Sequence, residues 1–173
     1  MKNSLRLATL GAILLVGSAV SASAQELSVG YQWQHVSCCD SGDSYPLGFN
    51  LDLGFPINPS LSAIGQIDWS KKSDAGGVEG VSLDVTMFGG GVRWTGNGTA
   101  QPFIDVLLGV AHSGTSFNDL ELSNNDFALQ FGGGVAVPMN EKVSVVGQFD
   151  YRPIFSDETQ NSIRLVGGIR IKL

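Results

Sequence analysis

Residues 47–55 read LGFNLDLGF, with Leu47, Phe49, Leu51, Leu53 and Phe55 at every odd position and Gly48, Asn50, Asp52 and Gly54 at every even one. Period-two alternation makes a β-strand whose side chains divide into an apolar face and a polar one. The pattern is unchanged if the strand is turned over. It therefore builds either a soluble carrier with an oily cavity or a barrel with an oily exterior, and the choice of outer face decides the fold.

Seven further segments alternate in the same way: Leu27–Val36, Leu61–Ser70, Leu83–Thr95, Phe103–Ser113, Phe127–Val137, Val143–Pro153 and Ser162–Leu173. Each has the length of a tilted barrel strand. The connections alternate too. PINPS (56–60), TGNGTAQ (95–101) and PMNEK (138–142) are short and carry the turn chemistry of Pro, Gly and Asn. SCCDSGDSYP (37–46), KKSDAGGVEGVS (71–82), SGTSFNDLELSNN (113–125) and IFSDETQ (154–160) are mostly longer, with formal charges of -2, 0, -2 and -2. Short turns at one end and longer loops at the other imply an up-and-down meander with an even strand count and both termini on the short-turn side. LSAIGQIDW (61–69) and VSVVGQFDY (143–151) repeat Ser, Gly, Gln, Asp and a final aromatic at matching places, and FGGGVRW (88–94) echoes FGGGVAV (131–137). A repeated hairpin without caps fits a closed ring of strands, in which every edge is paired.

The N-terminus, MKNSLRLATLGAILLVGSAVSASAQ, has Lys2 and Arg6 ahead of an apolar run from Ala8 to Val20, then Ala22 and Ala24 in A-x-A spacing. This reads as a secretory signal peptide over residues 1–24, with a barrel domain over 25–173. The run of 13 residues falls short of the roughly 20 that span a bilayer. Loss of Lys2 and Arg6 takes the formal net charge from -6 to -8, which argues against nucleic acid as a partner. No segment of the mature chain shows a sustained helical period, so a place in a membrane would have to be taken by β-structure.

Three observations turn the apolar face outward. The polar face is built from small residues, as the interior of an eight-stranded barrel requires, since that interior is just wide enough for side chains; Glu is absent from this reading of it, and Lys enters only as Lys172. Its charges balance: Asp52, Asp68, Asp105 and Asp150 oppose Arg93, Arg152, Arg164 and Arg170. With strands running alternately up and down, Asp68, Asp150, Arg152 and Arg164 fall in the outer half and Asp52, Arg93, Asp105 and Arg170 in the inner half. Each half is then neutral, as the desolvation of buried charges demands. Finally, the apolar face carries aromatics near its ends, in Tyr31, Trp33, Phe55, Trp69, Trp94 and Tyr151, where amphipathic rings suit the water–lipid boundary. Ile64, Met87, Leu107, Val146 and Val166 interrupt the polar face. Arg93 is kept inward because Phe88, Val92 and Trp94 then face lipid.

Other chemistry is sparse. The glycine triplets lack a following helix and the Lys-Ser/Thr of a phosphate loop. Cys38 and Cys39 are adjacent and cannot staple distant segments, and with His35 and Asp40 they give one short loop and no second cluster of metal ligands. No metal or cofactor is expected.

With an export signal, eight alternating strands and Gly-rich motifs such as FGGGVRW and IRLVGGIRIKL (163–173), the chain resembles the small bacterial outer-membrane β-barrel family, the OmpA/OmpX-like and opacity-protein group, over residues 25–173. The resemblance implies an integral outer-membrane protein with periplasmic termini and extracellular longer loops, in contact with outer-membrane lipid and with the barrel-insertion machinery. In that family a terminal aromatic usually marks the last strand for insertion; here Leu173 stands in its place, with Ile169 and Ile171 keeping the alternation. The expected role is non-enzymatic, envelope-structural or surface-adhesive, with a lumen filled by side chains and an unidentified surface ligand. Two alternatives are a narrow pore and a lipid A-modifying enzyme. The latter class uses a His-x-Ser pair with a nearby carboxylate, and His35-Val36-Ser37 has that spacing.

Overall fold

The computed structural model describes residues 26–38, 41–73, 81–117, 120–156 and 159–173. Residues 1–24 and Cys39 lie outside them, as does the Cys38 side chain, so the signal-peptide and paired-cysteine readings rest on sequence alone. Nine strands follow one another: β1 (Glu26–Cys38), β2 (Ser41–Tyr45), β3 (Leu47–Asn58), β4 (Leu61–Ser73), β5 (Ser82–Thr95), β6 (Gln101–Phe117), β7 (Leu120–Pro138), β8 (Val143–Phe155) and β9 (Gln160–Lys172). From β3 onward each pairs antiparallel with the next in sequence. The last strand returns to the first along twelve residue pairs, from Glu26↔Lys172 to Ser37↔Asn161. The sheet is thereby closed.

Only Pro46 separates β2 from β3, and both pair with β1, so together they form one barrel strand and the ring has eight. On β1, Tyr31 lies opposite Phe49 and Gln34 opposite Tyr45, so a step of three residues on one strand faces a step of four on the other. That is a one-residue bulge, placed where proline has no N–H to give to the ladder. A bulge reverses side-chain parity. Leu47 and Phe49 point outward, whereas Tyr45, also at an odd position, is buried inside. The Tyr31 hydroxyl donates to the Pro46 carbonyl and ties the bulge to β1.

The eight sequence segments all appear as barrel strands, but several are longer than alternation indicated. Strands β6 and β7 stay paired from Gln101↔Ala136 up to Phe117↔Leu120, so most of the presumed loop 113–125 is a tall hairpin. Beyond the apolar band both faces of a hairpin meet water, and the period-two contrast that reveals a strand disappears while the backbone ladder continues.

At the opposite rim two of the three short turns share one device. The Asn58 side-chain oxygen accepts from the N–H groups of Ser60 and Leu61, both at 2.9 Å. That of Asn140 accepts from Lys142 at 2.9 Å and Val143 at 2.8 Å. These Asx turns reverse the chain tightly, and they extend the sequence repeat of 61–69 and 143–151 back into its preceding turns.

The outer wall is apolar all round. Ile104, Leu108 and Phe131 are 59%, 55% and 48% exposed, and alternating Leu, Ile, Val and Phe neighbours complete the band. In water such a continuous surface far exceeds what monomeric proteins leave uncovered; in hydrocarbon it is the favourable face. Met87, Ala111, Ala128 and Ile154 pack together inside, as do Phe103, Ala136 and Val146, so the residues that interrupt the polar face fill lumen space.

Candidate functional site in the barrel lumen

All eight charged residues singled out in the sequence point inward, and their side chains are almost wholly buried. In the outer part of the lumen, Arg152 from β8 meets Asp68 from β4 in a two-pronged contact, Nη1 to Oδ1 at 3.1 Å and Nη2 to Oδ2 at 2.6 Å. Arg164 from β9 donates to Asp150 at 2.8 Å through Nε and to Asp68 at 3.1 Å through Nη1. Two carboxylates and two guanidiniums therefore bridge three strands that are not all neighbours. Such planar pairing suits arginine, whose fork presents parallel donors to a carboxylate.

Amides fill the remaining valences. Gln66 donates to Asp68 at 2.6 Å and exchanges hydrogen bonds with Gln130 at 3.2 Å, while Gln130 also accepts from Arg152 at 2.7 Å. Gln32 donates to Ser70 at 2.7 Å and accepts from Arg164 at 3.0 Å. The sequence repeat acquires a purpose here. Each copy supplies a Gln-x-Asp on one face of a strand, and in each the glutamine donates to its own aspartate: Gln66 to Asp68, and Gln148 to Asp150 at 2.8 Å. Both aspartates converge on Arg164.

In the inner part, Arg93 from β5 donates to Asp105 at 2.8 and 2.6 Å and to Asp52 at 3.1 Å, while Asn50 steadies Asp52 at 3.0 Å. Gln148 reaches Asp105 at 3.4 Å as well as Asp150, and so joins the inner group to the outer one.

Arg170 differs from its sequence assignment. It makes no ion pair with a lumen aspartate among the described residues; its Nε donates to Ser28 at 3.2 Å and stands 4.0 Å from Glu26. Its guanidinium lies 4.7 Å from the centre of the Phe103 ring, which also receives Arg93 at 4.8 Å. Arg170 therefore finds its carboxylate in Glu26 at the rim, which gives the inner group three carboxylates against two guanidiniums, and the reading of a lumen face without Glu is corrected. Glu26 is an even-numbered β1 residue in phase with Ser28, and Phe103 is in phase with Asp105; parity places both, but Glu26 lies one residue outside the segment that alternation marks and Phe103 is the first residue of its own.

The six aromatics assigned to the girdle lie on the outer wall. Trp69 packs against Phe49 with ring centres 5.9 Å apart, and Tyr151 donates to Asn161 at 2.6 Å. Trp33 stacks on His35 at 6.1 Å. His35 does not address Ser37. Its Nδ1 is 2.9 Å from the Ser44 hydroxyl, while Ser37 donates to the Asn161 carbonyl at 3.3 Å, so the His-x-Ser spacing forms no hydrogen-bonded pair. No group of three or more His, Cys, Asp and Glu suited to a metal occurs among the described residues.

An apolar outer wall around a core of ion pairs is the inverse of a water-soluble protein, and defines an integral membrane β-barrel with a side-chain-filled lumen. The outer membrane protein beta-barrel domain model matches residues 8–168, and the chain belongs to that family. It is a bacterial outer-membrane β-barrel protein. Among solved structures, Neisserial surface protein A (NspA) is similar at a TM-score of 0.75 with 13% identity, covering 86% of this chain and 97% of that one. Ail, the attachment invasion locus protein of Yersinia pestis, matches at 0.63 with 18% identity over 87% and 100% of the two chains. The N-terminal β-barrel domain of Pseudomonas aeruginosa OprF matches at 0.54 with 9% identity over 85% and 99%. At these identities the likeness is one of fold. Comparison with curated proteins gave no match.

Proposed function

We propose that this protein is a non-enzymatic outer-membrane barrel with a closed lumen, serving as a rigid base that presents its long hairpins at the cell surface in an envelope-structural or adhesive role. The observation that carries the reading is the connected Asp–Arg–Gln network, which runs from Asp52 through Arg93, Asp105, Gln148, Asp150, Arg164 and Asp68 to Arg152. A path for ions would have to break several charge-assisted bonds in a lumen only as wide as its own side chains.

Residues 1–24 act as the export signal and 25–173 as the mature barrel. The adjacent ends at Glu26 and Lys172 face the periplasm, the tall β6–β7 hairpin faces outward, and the barrel-insertion machinery places the chain in lipid. Ail of Yersinia pestis has been solved in complex with the heparin analogue sucrose octasulfate, at 17% identity to this chain. The acidic long connections here disfavour a polyanion of that kind and favour cationic partners.

Planar-bilayer recording tests the closed lumen. The wild-type protein should show no sustained openings, and Asp68→Ala/Asp150→Ala/Arg152→Ala/Arg164→Ala, which empties the outer cluster, should conduct. Long-lived openings in the wild type would replace this reading with that of a pore. Mass spectrometry of lipid A from expressing cells should show an unchanged acyl pattern; a changed one would restore the enzyme.

A further inference from the structure

The lipid-facing wall is hollow at one place. The outward residues of β4 read, from the long-loop end toward the short turns, Trp69, Ile67, Gly65, Ala63 and Leu61. In the ladders Gly65 lies between Leu53 of β3 and Gly90 of β5, so two of three neighbouring positions carry no side chain. At Gly65 a Cβ would meet nothing within 4 Å, and at Gly90 only the Ile64 carbonyl oxygen at 3.7 Å. The result is a cavity of about 220 Å³ whose lining includes Leu51, Leu53, Gly65, Ile67 and Phe88 and no charged residue. Leu53, Ile67 and Phe88 belong to the exposed apolar band, so the cavity is a recess in the surface already described as facing hydrocarbon.

Continuity with that surface defines the occupant. What enters the recess comes from the bilayer, and walls beside an unfilled gap forfeit the dispersion contacts that a flexible chain of methylenes would restore. The shape of the recess then selects a leaflet. Toward the long loops it is bounded by Ile67 and Phe88, which lie opposite one another, and beyond them by Trp69 packed on Phe49 with ring centres 5.9 Å apart. Toward the short turns its floor continues as Ala63, half-buried between Phe55 and Val92. It ends at Leu61, opposite Trp94, which is 50% exposed. An extended chain therefore leaves toward the short turns, where an indole at the water–lipid boundary offers its N–H to an ester or phosphate oxygen. We infer that the furrow over Gly65, Gly90 and Ala63 binds one acyl chain of a phospholipid from the leaflet on the short-turn side. That this leaflet is the periplasmic one rests on the orientation proposed above; the furrow itself does not.

Native mass spectrometry of the whole barrel, equilibrated in detergent with phosphatidylethanolamine and lipid A together, reads occupancy and identity at once. The wild-type protein should retain one phosphatidylethanolamine. Gly65→Leu, which puts a side chain into the recess, should retain about tenfold less, and Ala63→Leu, which narrows the exit, should act in the same direction. Gly147→Leu on β8, where a Cβ likewise meets nothing within 4 Å, should leave retention unchanged. All three should keep the heat-modifiable band of the folded barrel. In vesicles, phosphatidylethanolamine with a diazirine midway along one chain should crosslink to Leu53, Ile67 or Phe88 in preference to the equally outward Phe149 and Leu165, and Gly65→Leu should remove the preference. Equal retention by Gly65→Leu and wild type, no retention by the wild type, or evenly spread crosslinks would overturn the site. So would retention of lipid A in place of the phospholipid, or a dimer that Gly65→Leu dissolves, which would make a second copy the occupant. Separately, Asn97→Cys in a Cys38→Ser/Cys39→Ser background should react with a membrane-impermeant maleimide only once the outer membrane is opened. Reaction on intact cells overturns the orientation and the leaflet with it, whereas loss of lipid selectivity with the label still excluded overturns the furrow alone.

Discussion

Replacing Arg164 with Ala removes the one group, among the described residues, that touches both outer-cluster carboxylates. In the folded protein Arg164 contacts Asp150 at 2.6 Å, Asp68 at 3.1 Å, and the side-chain oxygens of Gln32 and Gln66 at 3.0 and 3.2 Å. The consequences differ for the two aspartates. Asp68 keeps its two-pronged bond to Arg152 and the amide of Gln66. Among the described residues Asp150 keeps only Gln148 at 2.8 Å, and so becomes a buried carboxylate without a cation. Breaking a buried pair in this one-sided way costs about 3–5 kcal/mol. Arg152→Ala should cost less, because Asp68 retains Arg164 and no carboxylate is stranded. In Arg164→Met/Asp150→Leu the stranded charge is gone as well, and most of the loss should be recovered, since replacement of an ion pair by packed apolar groups is often neutral. Urea unfolding of the protein in lipid vesicles, followed by tryptophan fluorescence and heat-modifiable gel migration, measures all three. A loss below about 1 kcal/mol for Arg164→Ala, or a double variant no better than the single one, would show that water already solvates the network and would refute the argument.

Two glycines that look alike in sequence should respond oppositely to alanine. At Gly132 a Cβ would fall 1.8 Å from the Asp150 carboxylate, so Gly132→Ala must displace Asp150 and should cost about 1–3 kcal/mol; at Gly65, on the lipid face, a Cβ meets nothing within 4 Å and the change should lie within about 0.5 kcal/mol. On the outer wall, Leu108→Arg near mid-height should cost about 2–4 kcal/mol, and Val137→Arg beside the short turn about 0–1 kcal/mol. Reversible unfolding in vesicles checks each pair, and equal losses at Leu108 and Val137 would contradict the depth of the apolar band.

The barrel was legible wherever one face meets hydrocarbon and the other a cramped interior, because that contrast writes itself into every second residue. Leu47–Phe55 is the clearest case. Legibility fails for three physical reasons. Period two says nothing of a bulge, so the inward turn of Tyr45 could be found only from the register around Pro46. Past Ser113 the sequence loses its period-two contrast, and the upper reaches of β6 and β7 read as loop although they are strand. The network was visible as a balanced set of charges, but composition cannot say which arginine holds which aspartate. Arg164 bridges Asp150 and Asp68, while Arg170 is left to Glu26, Ser28 and the Phe103 ring. The Gln-x-Asp repeat is visible in the sequence as symmetry, and its hydrogen bonding supplies the reason.

Oxygen collision rates at nitroxide labels placed one at a time along residues 104–110 of the protein in lipid vesicles test the account most directly. The assignment of faces predicts high oxygen accessibility at 104, 106, 108 and 110 and low accessibility at 105, 107 and 109, with a water-soluble nickel reagent excluded from both sets. The opposite phase, or free access of the nickel reagent to 105, 107 and 109, would place the apolar residues within and open the charged lumen to water, contradicting the closed outer-membrane barrel.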